Sequence, residues 1–174
     1  MDNDLKTVFD EDTIKRKVEE LAGRIARDYA RKDLLLVCVL KGALIFTADL
    51  MRWIPFPVAL DFVHASSYGT GTESMHEVQI KKDIDADIAG RHVLLVDCII
   101  DTGETMDRLL KRYAERRPAS LRAAVLLDKR PRRTVEVPLA YAGFVIPDLF
   151  VVGYGIDCAE KYRNLPNLAA LKRA

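Results

Sequence analysis

The residues best suited to chemistry follow an apolar segment in the stretch VLLVDCIIDTGETM, residues 93–106. Its polar members are Asp97 and then, in one turn, Asp101, Thr102, Gly103, Glu104 and Thr105. A turn that opens a helix presents unpaired backbone N–H groups and the positive end of the helix dipole. Glycine lets the backbone approach a ligand closely, and threonine hydroxyls add donors. The pattern is typical of a phosphate-binding cradle.

The carboxylates beside this cradle indicate what else the ligand carries. Carboxylates do not hold a phosphate, but they suit sugar hydroxyls, a magnesium ion or a basic proton. The residues alone therefore predict a phosphorylated sugar as the ligand. An alternative stays open at this point, in which Asp101 or Thr102 simply caps the helix, because strand, turn and helix often meet at such a residue.

The elements that must position these residues can be read from the apolar pattern. Short apolar runs typical of strands lie at 34–40, 58–65, 92–100 and 121–129. Helix patterns lie at 12–31, 44–54 and 105–117. Strands that alternate with helices predict an α/β fold with a mostly parallel central sheet flanked by helices. In such sheets ligands bind beyond the carboxyl ends of the strands, where the turn at 101–105 would lie.

Length and composition limit the classes of protein to consider. The chain has 174 residues, which fits a single domain, and its net charge of +1 provides no basic field for nucleic acid. Its apolar runs are shorter than the roughly 20 residues that cross a membrane. Its acidic start lacks the pattern of an export signal. Three cysteines without metal or redox spacing indicate reduced thiols in a cytoplasmic protein.

Five segments, taken together, resemble the hypoxanthine-guanine phosphoribosyltransferases, a branch of the type I phosphoribosyltransferases. Residues 93–106 resemble the phosphoribosyl pyrophosphate motif of that family. The other segments are VLKGA at 39–43, SSYGTGTES at 66–74, LLDKR at 126–130 and GFVIPDLFVVGYGIDCAEKYRNLP at 143–166. They follow the family's order and cover nearly the whole chain. The resemblance implies the type I phosphoribosyltransferase fold, with a mobile loop at about 66–76 and a small hood formed mainly by 130–174.

The resemblance also implies a reaction and a set of site residues. Hypoxanthine or guanine and phosphoribosyl pyrophosphate would give the nucleoside monophosphate and pyrophosphate, with Mg²⁺ as cofactor. The implied residues are Asp101 as the catalytic base; Thr102, Gly103, Glu104 and Thr105 for the 5′-phosphate; Asp97 and Cys98 for the ribose and metal-linked water; Leu40, Lys41, Gly42, Ser67, Tyr68 and Arg163 for pyrophosphate; Lys129, Phe150, Val151 and Asp157 for the purine; and Asp157 for the metal. Among them, Lys129 would select 6-oxopurines by donating to the exocyclic oxygen, and Phe150 would stack on the ring.

The chain departs from the family at Cys98, where a second acid usually follows the first. One reading is that the lost carboxylate weakens substrate or magnesium binding and leaves a thiol open to oxidation, in which case Cys98→Asp raises catalytic efficiency. The other is that Cys98 packs into the sheet while Asp97 and water suffice. The sequence does not decide between them.

Two functions from different classes remain in view. The first is the purine salvage enzyme. The second is a catalytically impaired nucleotide-binding regulator on the same scaffold, which Cys98 keeps open. Against the regulator stand the matching residues Lys129, Phe150, Asp157 and Arg163, and basic residues that are dispersed along the chain. The resemblance further implies a homodimer or homotetramer, with the segment after Lys41 at the subunit contact.

Overall fold

The structure is a computed structural model that describes residues 5–67 and 78–172. In this part of the chain the helices are α1 (Glu11–Asp28), α2 (Leu44–Arg52) and α3 (Glu104–Ala114), with a short 3-10 turn at Arg130–Arg132. The strands are β1 (Leu5–Phe9), β2 (Leu34–Leu40), β3 (Ala59–Ser67), β4 (Val78–Lys82), β5 (His92–Ile100), β6 (Ser120–Asp128), β7 (Leu139–Val145), β8 (Val151–Val152) and β9 (Leu168–Leu171). Within the described residues, no helix is both long and apolar enough to cross a membrane.

A six-stranded sheet in the order β4-β3-β2-β5-β6-β7 forms the centre of the fold. Its strands are parallel except for β4, which pairs with β3 in the antiparallel sense at the edge. Strands β2 and β5 are buried on both faces, which explains their nearly continuous apolar sequences. The predicted α/β fold with a mostly parallel sheet is therefore confirmed.

Helices cover the sheet on both faces. Residues of α1 and α2 pack on one face, where Leu21 and Phe46 are fully buried, and α3 packs on the other through Leu109 and Tyr113. Helix α1 begins at a side-chain cap, in which Asp10 accepts a hydrogen bond from the Thr13 N–H at 2.8 Å. These two layers fix the position of the loops at the carboxyl ends of the strands.

A second, three-stranded sheet has the order β1-β9-β8 and is antiparallel throughout. It joins both ends of the described chain, because it combines the N-terminal strand β1 with β8 and β9, which belong to the segment 130–174 predicted to form a hood. The division of the chain into a single domain with a hood stays a prediction. The predicted loop at 66–76 begins inside β3, which continues to Ser67, and the rest of it lies outside the described residues.

Candidate active site

The reversal of strand order in the central sheet places the site. Strand β2 pairs with β3 on one side and with β5 on the other, so the chain winds in opposite directions from this point. A crevice outside the carboxyl ends of the strands forms at such a reversal. A cavity of about 730 Å³ opens there. Its lining includes Leu40, Lys41, Gly42, Asp97, Asp101, Thr102, Gly103, Glu104, Thr105, Asp157 and Arg163 from the predicted set.

The turn after β5 has the geometry of an anion cradle. Gly103 occupies the position before α3 with φ of +95°, in the left-handed region that favours glycine. A Cβ at Gly103 would also collide with the carbonyl oxygen of Val135, so no other residue fits. Since glycine brings no capping side chain, neither Asp101 nor Thr102 is the helix cap, although Thr102 Oγ1 accepts a long 3.4 Å bond from the Glu104 N–H. Residues 101–106 line the cavity, so the first turn of α3, with its N–H groups that have no partner within the helix, lies at the cavity wall.

Asp97 is the carboxylate that enters the cavity from the end of β5. Its Oδ1 accepts the Cys98 N–H at 2.7 Å. Burial raises the pKa of Asp97 to about 6, against the opposing effect of hydrogen bonds from the backbone of Cys98 and Ile99. Above that pH the side chain is an ionised acceptor, which suits the hydroxyls of a sugar.

Cys98 lies beneath the cavity floor and outside its lining. The side chain is 5% exposed and packs in a small cluster with Cys38 and Ala43. Burial, and then the nearby charge of Asp97, raise the pKa of the Cys98 thiol well above its ordinary value, so it stays protonated. The packed reading of Cys98 is the one that this geometry supports.

The turn after β2 rests on Cys98 and on a second glycine turn. The peptide between Leu40 and Lys41 is cis. A Cβ at Gly42 would lie 2.7 Å from Cys98 Sγ, and a Cβ at Gly155 would collide with the Gly42 carbonyl oxygen. Backbone therefore packs directly on backbone here, and Lys41 is carried on a closely supported turn at the mouth of the cavity.

Two cations lie close together at that mouth and share one carboxylate. Lys41 Nζ lies 3.1 Å from Glu160 Oε2, and Arg163 Nη2 lies 3.2 Å from the same oxygen. Arg163 also pairs with Asp157 Oδ1 at 2.7 Å and donates from Nη1 to the Gly155 carbonyl at 2.8 Å. Its Nε is buried and has no hydrogen-bond partner among the described residues. The pair of cations is suited to hold a multiply charged anion.

Asp101 lies between two further cations. Lys129 Nζ is 3.7 Å from Asp101 Oδ2 and 3.6 Å from Asp148 Oδ1, and Arg132 Nε is 3.3 Å from Asp101 Oδ1. Within the described chain, Oδ1 is buried and accepts no hydrogen bond of good geometry. A carboxylate with an available lone pair beside a buried lysine can accept a proton while the lysine polarises a neighbouring oxygen.

The remaining predicted residues do not line the cavity or cannot be placed. Val151 is 5% exposed in β8, and Phe150 is half-buried, with its carbonyl accepting the Leu171 N–H at 2.9 Å. Ser67 ends β3, and Tyr68 lies outside the described residues. Lys129 reaches the site only through its ammonium group, because the residue as a whole is 7% exposed.

Sequence reasoning missed three charged residues at the site, Glu160, Arg132 and Arg133. Glu160 precedes Arg163 by three positions, a spacing that permits an ion pair, but its second partner is 119 positions away. Arg132 and Arg133 belong to the basic run KRPRR, which looks like a solvated surface segment when it is read alone. Arg133 pairs with Asp128 five positions earlier, but both arginines also contact Asp101 in the turn after β5, and those contacts are not visible in a local pattern.

The carboxylates at the cavity bear on whether it can bind a divalent cation. Among the residues that the structure describes, no group of three or more histidine, cysteine or acidic side chains is arranged to hold a metal ion. Asp157 contributes one carboxylate to the cavity, where Asp97 lies as well. Mg²⁺ keeps several waters and commonly uses one or two carboxylates together with substrate phosphates. The residues present fit that mode of binding.

Comparison with known proteins defines the class. The model of the phosphoribosyl transferase domain matches residues 4–159. The chain belongs to this family, and its mostly parallel sheet has the fold of the type I phosphoribosyltransferases.

The most similar proteins in these comparisons belong to one branch of this family. A hypoxanthine phosphoribosyltransferase of Haemophilus influenzae is 47% identical over 91% of this chain and 90% of its own length. A hypoxanthine-guanine phosphoribosyltransferase of Streptococcus pneumoniae is 44% identical over 99% and 96%. The crystal structure of a hypoxanthine-guanine phosphoribosyltransferase from Bacillus anthracis superposes with a TM-score of 0.89 at 45% identity, covering 97% of this chain and 99% of that one.

Proposed function

We propose that this chain is a purine salvage enzyme that converts hypoxanthine or guanine and phosphoribosyl pyrophosphate to IMP or GMP and pyrophosphate. The observation that carries the proposal is one cavity with an anion cradle at one wall and two cations at the other. A ribose that bears a phosphate at one end and a pyrophosphate at the other needs this arrangement.

The 5′-phosphate is assigned to the turn at the start of α3. Its ligands would be the N–H groups of the Gly103–Thr105 backbone and the hydroxyls of Thr102 and Thr105. Glu104 contributes its backbone, because its Oε1 lies 3.5 Å from Thr134 Oγ1, at hydrogen-bonding distance from a neighbouring turn. Asp97 would accept hydrogen bonds from the ribose hydroxyls.

Pyrophosphate is assigned to the Lys41 turn and Arg163. Its departure leaves positive charge on the ribose, as in glycoside chemistry, so the negative charge that leaves must be held by fixed cations and N–H groups. When Mg²⁺ is bound, held by Asp157 and the phosphate oxygens, it supplies further neutralisation of the leaving group. Lys41, Arg163 and the backbone of Leu40 to Gly42 orient the same anion.

The purine is assigned to the space next to Asp101 and Lys129. Asp101 takes the proton that the ring nitrogen loses as it attacks the ribose. Lys129 donates to the exocyclic oxygen and so disfavours adenine, whose exocyclic amine is a donor and cannot accept from the ammonium. Phe150 would stack on the ring, and the backbone of Val151 and Asp157 would contact its far edge.

We also assign the subunit contact of a homodimer or homotetramer to the outward face of α2. Leu44 and Ile45 begin α2 and Trp53 directly follows its end, and these large apolar side chains are 48%, 38% and 43% exposed, which is high. Leu44 lies only three positions after Lys41, so a partner that covers the start of α2 would also support the pyrophosphate turn.

The test is steady-state turnover with hypoxanthine, guanine and adenine, with and without Mg²⁺. We expect activity with the two 6-oxopurines, dependence on Mg²⁺ and little activity with adenine.

Asp101→Asn is expected to lower kcat by about 10²-fold while GMP still binds. Lys129→Ala is expected to reduce the preference over adenine. A wild-type chain that binds GMP but turns over no purine would instead favour the regulator.

A further inference from the structure

Arg133 is a buried cation with two separate contacts. Its side chain is 9% exposed, and Nη2 donates to Asp128 Oδ1 at 2.6 Å, a carboxylate that is itself 4% exposed. The other oxygen of Asp128 accepts from Arg130 Nε at 3.0 Å, but Arg130 is 72% exposed. The two arginines therefore share one buried carboxylate, one from inside the fold and one from the surface.

The second contact of Arg133 is with the catalytic turn. Its Nε donates to the Asp101 carbonyl oxygen at 3.2 Å, and its Cδ lies 2.9 Å from the position that a Cβ on Gly103 would take. The backbone just after Arg133 also binds this turn. The N–H groups of Thr134 and Val135 both donate to the Thr102 carbonyl oxygen, at 2.9 and 3.0 Å. The segment after β6 is thereby fastened onto the turn after β5.

The two ends of this connection carry the two groups assigned to the purine. Asp128 directly precedes Lys129, and the carbonyl that Arg133 holds belongs to Asp101 itself. A purine is rigid and planar, so its ring proton and its exocyclic oxygen fix the separation at which Asp101 and Lys129 must be presented. A displacement of about 1 Å in such an arrangement lowers the rate by as much as 10²-fold.

We propose that Arg133 is a positioning residue: its Nε holds the Asp101 carbonyl and so sets the Asp101 carboxylate relative to Lys129, while its pair with Asp128 anchors the side chain in the fold. The inference rests on the proposed function, since it needs Asp101 and Lys129 to contact the purine. It concerns a side chain that touches no substrate and lies outside the cavity lining.

Two substitutions separate the two contacts. Arg133→Lys keeps a positive charge near Asp128 but has carbon in place of Nε, so the bond to the Asp101 carbonyl is lost. Arg133→Gln has a nitrogen at the position of Nε but no group that reaches Asp128. Arg130→Lys is the matched control, because it makes the same exchange on the same carboxylate without contacting the turn.

The experiment compares kcat, KM for each substrate and Tm of the three variants with wild type, below the lowest melting temperature. Arg133→Lys is expected to lower kcat at least about tenfold while KM for phosphoribosyl pyrophosphate stays within twofold and Tm stays near wild type. Arg133→Gln is expected to melt roughly 10 °C lower yet keep kcat within about threefold. Arg130→Lys is expected to match wild type.

The proposal is overturned if kcat of Arg133→Lys equals that of Arg130→Lys, or if kcat follows Tm across the series so that the glutamine variant is the slower one. If only one variant of Arg133 folds, its kcat alone decides: a lysine variant must be at least about tenfold slower than Arg130→Lys, and a glutamine variant must stay within about threefold of it. An inactive wild-type chain would count against the proposed function instead, so the two failures are distinct.

Discussion

At the scale of single residues, the site is built from a few charges held by close backbone packing. Gly42, Gly103 and Gly155 each lie where a Cβ would collide with a neighbour. The cations at the mouth of the cavity are not free, since Lys41 and Arg163 both pair with Glu160. The glycines therefore set how closely the loops pack at the cavity, and Glu160 sets how available Lys41 and Arg163 are to a substrate anion.

Cys98→Asp tests the position at which a second acid usually stands in the family that the sequence resembles. The sequence alone left open that the aspartate would raise activity. Because Cys98 packs against Cys38 and Ala43 and lies beside the buried Asp97, a second carboxylate there would be costly to ionise. We expect Cys98→Asp to lower Tm by about 5 °C or more and to lower kcat/KM.

Thermal melting and steady-state kinetics check this expectation, with Cys98→Ala as the control for loss of the thiol alone. A variant with aspartate that is as stable as wild type and more efficient would show that position 98 is an acid site after all.

Glu160→Gln tests whether pyrophosphate must compete with a carboxylate of the protein. Hydrogen bonds from Lys41 and then Arg163 lower the pKa of Glu160, so it is ionised at neutral pH. The glutamine variant keeps the shape and the backbone N–H that donates to Asp157, but it releases both cations. We expect Kd for pyrophosphate and KM for phosphoribosyl pyrophosphate to fall about two- to fivefold, with kcat little changed.

Isothermal titration with pyrophosphate at low and high ionic strength measures this effect, which should shrink as salt screens the exposed charges. Weaker binding in the variant would mean that Glu160 holds the cations in place for the substrate and does not compete with it.

At the scale of elements, the strands that could be predicted are those whose own sequence is enough to identify them as strands. Strands β2 and β5 match the predicted ranges 34–40 and 92–100, because a parallel strand covered on both faces is apolar throughout. Helix α1 ends at Asp28 and not at 31, where Arg31 has a positive φ of 62°. The small sheet was missed, because β1 and β9 pair across most of the chain and neither is long enough to show a period.

The same distinction applies to the site. The cradle at Asp101–Thr105 lies within one turn and was predicted from its spacing. The pairing of Lys41 with Glu160, and of Arg133 with the Asp101 carbonyl, joins residues from different loops. Only the packing of the sheet brings them together, so no local signal existed for either.

Asp83 fastens the loop after β4 to α3 and gives the fold a pH dependence. Burial alone would raise the pKa of Asp83, but hydrogen bonds from Arg112, Tyr113 and the Ile84 N–H, with the charge of Arg116, lower it to about 2. A lowered pKa contributes stability that is present above the ordinary value near 3.8 and is lost as pH falls through about 2. We expect Asp83→Asn to reduce the free energy of unfolding by about 2 kcal/mol at pH 7.

Urea unfolding between pH 7 and pH 3 measures this contribution, and the gap between variant and wild type should narrow below about pH 4. Asp85→Asn is the control, because the Asp85 side chain is 88% exposed and its ion pair with Lys82 lies at the surface. A gap of constant size down to pH 3 would contradict the assignment to Asp83 ionisation.

At the scale of the whole molecule, the fold brings one strand reversal and two glycine turns to the same cavity, and α2 begins directly after one of these turns. The α2 face follows the Lys41 turn in the chain, so assembly and pyrophosphate binding are expected to be linked. We expect Trp53→Glu to shift the sedimentation coefficient towards that of a monomer and to raise KM for phosphoribosyl pyrophosphate.

Sedimentation velocity tests this with Val145→Glu as the control, because Val145 is 60% exposed but belongs to β7, away from α2. A wild-type chain that sediments as a monomer, or a Trp53 variant that assembles normally, would remove α2 from the subunit contact.

A crystal structure of the chain with GMP would show directly where the nucleotide binds. We expect the 5′-phosphate against the N–H groups that begin α3, the ribose hydroxyls at Asp97, and the guanine oxygen at hydrogen-bonding distance from Lys129 Nζ. A nucleotide bound with its phosphate at Lys41 and Arg163, or bound outside this cavity, would contradict it.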